Sequence, residues 1–330
     1  MAPRWKIFEN KRSQIKGSTV TIERVSEVDQ SIVGDGGPGT RSRRDEPVPP
    51  AARLSPWWSW RRQSTMADNL MGLALLGGPA NIVMQLARPG VGYGVVDSKV
   101  ESGRADLHPV KRARTTFTFL AVSSLGSPEQ KAAFRKATNR SHAQVRSAPG
   151  DAVQYNAFDP DLQKWVAICL YKGFVDVYEA FVGPMSADMA ERCLQEGAVM
   201  GTTLQMPLAM WPKSCAEFDA YWEQSLDLVH IDDHVRPYLY RIISAAIAVP
   251  RFMRRPVGAF SRLISTGFLP QRFRDEMRLP WSPARERTFR AVVTLLGVVN
   301  RLLPNGLRRF PFNVLMIDLD WRIRTGRALV

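Results

Sequence analysis

Between Asp159 and Pro184 the chain reads DPDLQKWVAICLYKGFVDVYEAFVGP, and this stretch constrains the fold more than any other. Asp159 stands where an N-cap carboxylate would accept the first free backbone N–H groups, and Pro160 fits the first helical position, where its missing N–H costs nothing. Leu162, Trp165, Val166, Cys169, Leu170 and Val177 then recur at helical spacing, and Gly183-Pro184 ends the run. A helix this long and this apolar needs other helices or a sheet to cover it.

The rest of the chain offers helices. Ser127-Pro128-Glu129-Gln130 combines a hydroxyl N-cap, proline at N1 and a capping-box glutamine, and predicts a helix to about Ser147. Ser186 and Ser214 cap two more, the second with Glu217 at capping-box spacing. No run alternates over strand length between turn dipeptides, and no internal repeat is present, so the expected class is all-α, a multi-helix globular domain. RPGVGYGVVDS carries Gly90, Gly92 and Gly94 but lacks the third glycine of a dinucleotide fingerprint and a preceding strand. Glycines so placed instead let a helix approach a neighbour or a flat ligand.

Charge divides the chain into three. Residues 1–65 carry 12 basic and 7 acidic side chains, residues 66–240 carry 16 and 19, and residues 241–330 carry 17 and 5. The first segment is rich in Gly, Pro and Arg without periodicity and is expected to be a disordered extension preceding a helical domain over 66–330. All 17 cations of the last segment are arginines, interleaved with apolar stretches such as AFSRLISTGFLPQRF. Arginine beside aliphatic and aromatic groups suits peripheral contact with an anionic membrane, and equally a solvated face paired with carboxylates elsewhere. Nucleic acid is not an expected partner, because residues 66–240 are near-neutral and no recognition motif appears. The N-terminus lacks the apolar core of a secretory signal, and the richest apolar runs are interrupted before the roughly 18 residues a span requires, so a cytoplasmic protein without a transmembrane helix is expected. Four histidines and Cys169, Cys193 and Cys215 show no structural-zinc spacing.

Chemistry must come from sparse residues, and NRSHAQVRS holds one of the four histidines. At about 100° per residue, Ala137, Ser141 and Val145 fall within about 60° of Phe134, His142 at the edge of that stripe, and Arg135 and Arg146 within about 40° of His142. An imidazole between small apolar residues and arginines would suit a planar macrocycle with carboxylate tails: nitrogen for iron, guanidinium groups for propionates. The same position suits a core-edge histidine bonded to a carbonyl, and periodicity alone favours that plainer reading. Upstream, in HPVKRARTTFTFL, Arg112 and Thr116 share a helix face with Phe119 one turn on, a pair able to hold an oxygenous ligand beside an apolar wall. His230 and His234 flank a pair of aspartates at a spacing that could chelate on a helix. Asp97 and Glu101, upstream of Arg112, are candidates for a carboxylate base.

The ordered series LALLGGPANIVMQLARPGVGYGV, HPVKRARTTFTFLAVSSLG, NRSHAQVRS, YNAFDPDLQKWV and FPFNVLMIDLDWRIRTGRALV resembles the DUF2236 family, which groups latex-clearing rubber oxygenases with fungal MpaB-type mycophenolic-acid oxygenases. The likeness covers about residues 68–330. It implies an all-helical fold around haem b and an oxygenase that cleaves carbon–carbon double bonds of a hydrophobic, isoprenoid-like or lipid substrate with O2. Carried over, the family's ligating histidine falls on His142, and its arginine and threonine fall on Arg112 and Thr116 as catalytic residues. Arg135 and Arg146 are the propionate candidates. Two departures stand out: Thr115 occupies the place of a lysine in the rubber oxygenases, and Ala167 that of a histidine in many bacterial relatives. The rival expectation is a non-catalytic membrane-surface protein with the same helices.

Overall fold

The computed structural model describes residues 70–98, 100, 105, 107–246 and 249–330. The expected disordered extension over 1–65 and Glu101 lie outside the described residues. Chain order gives α1 (Ala74–Leu86), α2 (Pro89–Val96), α3 (Pro109–Leu125), α4 (Pro128–His142), α5 (Pro160–Phe181), α6 (Ala187–Gly197), α7 (Val199–Thr202), α8 (Cys215–Leu226), α9 (Arg236–Ile243), α10 (Arg254–Phe268), α11 (Gln271–Glu276), α12 (Pro283–Leu302), α13 (Asn305–Arg308) and α14 (Phe312–Arg324). Among the described residues there is no strand, only an isolated antiparallel bridge between Arg146 and Asn156. The all-α expectation holds.

The caps act as their chemistry dictates. Asp159 accepts from the N–H groups of Asp161 and Leu162, and Ser127 forms a complete capping box with Gln130. Ser186 accepts from Met189 and Ser214 from Glu217. Here the box is displaced by one residue, because the Glu217 carboxylate accepts from Lys213 N rather than from Ser214 N.

The spine is α5. Its buried residues include Trp165, Ile168, Cys169, Phe174, Val177 and Phe181. Trp165 stacks on Trp222 of α8 with ring centroids 5.5 Å apart and donates from Nε1 to Gln85 O of α1 at 3.0 Å. Where α1 crosses α5, Gly173 leaves room for Asn81, whose amide donates to Cys169 O at 2.5 Å. Gly77-Gly78-Pro79 does not end α1. Pro79 lies inside the helix, so only the Leu75 carbonyl loses its usual donor. A second apolar cluster, of Met71, Val177, Phe181, Ile264, Phe289 and Val293, joins α5 to α10 and α12.

The expected helix end at about Ser147 is overturned: α4 stops at His142. Ser147 N donates to Tyr155 O and Ala157 N to Val145 O, each at 2.9 Å, so residues that would have made another helical turn instead pair with the incoming strand-like segment. Long-range pairing wins over local propensity here. It also removes Val145 and Arg146 from the helical azimuth on which the sequence placed them. Among the described residues no helix is long and apolar enough to cross a membrane, and Cys169, Cys193 and Cys215 are buried and form no disulfide.

Candidate active site

Helices α3 and α4 are joined only by Gly126 and Ser127, so they form an antiparallel hairpin. Phe119 of α3 meets Phe134 of α4 with ring centroids 6.2 Å apart, which fixes the register. Two turns back along α3 and two turns on along α4, Arg112 and His142 come opposite one another. The arrangement is electrostatically legible: burial first, then the Arg112 guanidinium, pushes the His142 imidazole down from 6.5 to about 4. At neutral pH the ring is therefore uncharged.

Arg112 is exposed by surface area, yet loss of solvation by burial is the largest influence pulling its pKa down, offset in part by Tyr238 of α9. His142 lies within reach of the Arg112 charge. Its Nδ1 is buried and has no hydrogen-bond partner, and Phe158 stands edge-on to the ring at 6.3 Å.

One residue that the sequence reading missed joins this face. Thr138 lies one turn before His142, and its Oγ1 is also buried without a partner. Phe134, Thr138 and His142 recur at four-residue steps, which could have flagged it. On the facing helix Arg112 and Thr116 lie in the same layers. Two adjacent unsatisfied polar atoms inside a protein are costly, each by roughly 1–3 kcal/mol, and mark a place built for something other than packing.

The remaining sequence candidates are placed elsewhere or engaged. Arg135 donates from Nε to Thr203 O at 2.8 Å and from a terminal nitrogen to Thr202 O. Arg146 is exposed beyond the end of α4, in the bridge with Asn156. His230 and His234 do not share a helix or a partner. His230 faces Glu276 at 3.5 Å, whereas His234 Nε2 meets Asp97 Oδ1 at 2.7 Å, so the chelating pair considered from spacing is not formed. Asp97, weighed as a base, is held by His234 at a half-exposed position instead. Ala167 is fully buried in the core. The three glycines of α2 meet protein: a Cβ at Gly90 would touch Leu162, at Gly92 the Leu86 carbonyl, and at Gly94 the Tyr155 ring.

Residues 65–298 match the family described as ER-bound oxygenase mpaB/B'/rubber oxygenase, catalytic domain. The chain belongs to this family. Two uncharacterized proteins, from Mycobacterium bovis and Mycobacterium tuberculosis, are each 45% identical to it over 251 residues, covering 76% of this chain and 98% of theirs. No solved structure matches it. As an MpaB/rubber-oxygenase domain, the protein is an oxygenase-type helical domain, and three of the four buried side-chain atoms left without a partner among the described residues, on Ser124, Thr138 and His142, lie on the α3–α4 hairpin; the fourth is on Ser265 of α10.

The residues present fit a haem on two observations: an uncharged imidazole with an unpartnered buried nitrogen, and a guanidinium near enough for its charge to act on that imidazole. Among the described residues no group of three or more His, Cys, Asp or Glu could hold a bare metal ion. A porphyrin asks the protein for only one or two axial ligands, so that requirement does not apply to it.

Proposed function

We propose that this protein is a haem b-dependent oxygenase of a hydrophobic, isoprenoid or lipid substrate, in which His142 would hold the iron and O2 would be the co-substrate. The observation that carries the reading is the unpartnered, buried Nδ1 of His142 opposite Arg112, inside a domain of an oxygenase family. When bound, the haem supplies the redox chemistry with O2, which no side chain here could provide.

The chain's own residues prepare the place. Burial keeps His142 neutral, so its lone pair is available for a metal without competition from a proton above about pH 4. Arg112 offers fixed donors to a carboxylate tail or an oxygenous substrate group, and burial strengthens each such bond. Thr116 and Thr138 add hydroxyls in the next layer, able to donate or accept. Phe119 and Phe134 close the bottom of the hairpin with packed rings and exclude water from that side.

The test is the optical spectrum of the purified chain, with and without dithionite, after haem reconstitution. A Soret band that shifts on reduction is expected. It should vanish in His142→Ala while the circular dichroism stays helical. No Soret band in the wild type would leave a helical domain without a haem, and a band unchanged in His142→Ala would remove the ligand assignment.

A further inference from the structure

The C-terminal half of α12 is apolar on both sides. Its inner face, with Phe289, Val293 and Gly297, packs on α5 so closely that a Cβ at Gly297 would sit 2.6 Å from the Phe181 carbonyl. On the opposite face Leu295, Val298, Val299 and Leu302 recur at i, i+3, i+4 and i+7, and they are 64%, 49%, 45% and 70% exposed. A helix apolar all round is ordinarily covered on both sides. Nothing in the chain described here covers the outer one.

The neighbouring helix extends the patch. Phe268 of α10 meets Phe289 of α12 at 5.3 Å, and Ile264 joins Val293 in one buried cluster, with Leu263 and Leu296 against it. Residues ascending along α12 meet residues descending along α10, so the two run antiparallel. The start of α10 therefore lies at the same end as Leu302, and there Phe252 is 82% and Phe260 41% exposed. Arg254, Arg255 and Arg301 are exposed at this same end. Residues 241–330 carry no lysine and only 5 carboxylates against 17 arginines.

We propose that this end of the α10/α12 pair docks on an anionic bilayer surface, with the apolar stripe entering the acyl boundary and the arginines reaching the headgroup phosphates. Charge complementarity selects this occupant. A second copy would bring the same arginines against these, and a nucleic acid would have no use for six exposed apolar side chains on these two neighbouring helices and the turn before α10. The proposal stands whether or not the α3–α4 hairpin holds a haem.

The test is flotation of the full chain with vesicles of phosphatidylcholine alone or mixed with phosphatidylglycerol. The expected result is binding to the mixed vesicles that weakens with salt. Arg254→Gln with Arg255→Gln should weaken it roughly 30-fold at low salt, from about 1 kcal/mol per cation near the surface. Leu295→Glu with Leu302→Glu should lose it by more than about tenfold, while Leu208→Glu, at an equally exposed leucine between α7 and α8, should bind as wild type. Both leucines of the double variant are exposed, and an unchanged thermal transition would show that the fold is kept. Failure of the wild type to float with mixed vesicles, or wild-type flotation by the leucine double variant, would overturn the proposal. So would a wild-type dimer that the leucine variant splits in sedimentation velocity, which would make a second copy the occupant.

Discussion

Helices α4 and α5 begin alike but bury their side chains very differently. Each has an oxygen-bearing N-cap and proline at N1. Eleven residues of α5 are buried, whereas α4 buries Phe134 alone. The polar groups of the α5 core are answered: the Trp165 indole by Gln85, the Cys169 carbonyl by Asn81, and Lys172 by Asp176 at 2.8 Å. On α4 the inward-facing Thr138 and His142 are left unanswered. The helix at the centre of the core satisfies these buried groups, whereas α4 leaves two unanswered, as the proposed ligand site would require.

The comparison breaks most visibly on the α5 side. Trp165→Ala removes a fully buried indole, its stacking on Trp222 and its hydrogen bond to α1. Large-to-small changes of this kind cost about 3–5 kcal/mol. The denaturant midpoint should fall accordingly with the slope of the transition unchanged. A loss below about 1 kcal/mol would mean that α5 is not the spine.

On the α4 side the expected effect is smaller and depends on pH. In the unfolded chain His142 protonates near 6.5, and in the folded protein only near 4. Between these values the unfolded state binds more protons, so stability is complete above about pH 6.5 and declines as the pH falls toward 4. A shift of this size corresponds to about 3 kcal/mol, which partial access of the ring to water trims to roughly 2 kcal/mol. His142→Leu should flatten that part of the stability–pH profile of the haem-free protein and raise its stability at neutral pH by about 1 kcal/mol, because it removes an unsatisfied nitrogen. An unaltered profile would place the titrating group elsewhere.

These two helices also show what could be read from the chain and what could not. The α5 stripe, the proline-preceded caps and the all-helical class depend on residues close in sequence, and they were legible. So was the layer of Arg112 and Thr116, because four residues make one turn. The end of α4 was not legible: it depends on Ser147 and Val145 finding Tyr155 and Ala157 across a loop. With that pairing unknown, Arg146 was placed beside His142 by an azimuth that the chain no longer follows. Arg135 lay at the expected angle, but its partners, the carbonyls of Thr202 and Thr203, lie over sixty residues away. Thr138 went unnoticed because threonine in a helix is ordinary, and only the facing helix makes its hydroxyl conspicuous.

The weakest expected effect concerns the boundary of the site rather than its interior. Asp97, at the end of α2, meets His234 just before α9 at 2.7 Å, and Tyr93 one turn earlier lies against the same imidazole with ring centroids 5.2 Å apart. The pair ties the end of α2 onto the turn before α9, the helix that carries Tyr238. Its geometry resembles that of a catalytic dyad, but its side chains are 48% and 41% exposed, where water and salt screen it. Asp97→Asn should therefore shift the denaturant midpoint by no more than about 0.5–1 kcal/mol, and less at high salt. It should leave the Soret band of the reconstituted protein in place. A loss of several kcal/mol would show that α2 is held by this contact rather than by its glycines packed on Leu162, Leu86 and Tyr155. A lost band with stability intact would place Asp97 among the groups that shape the space around Arg112.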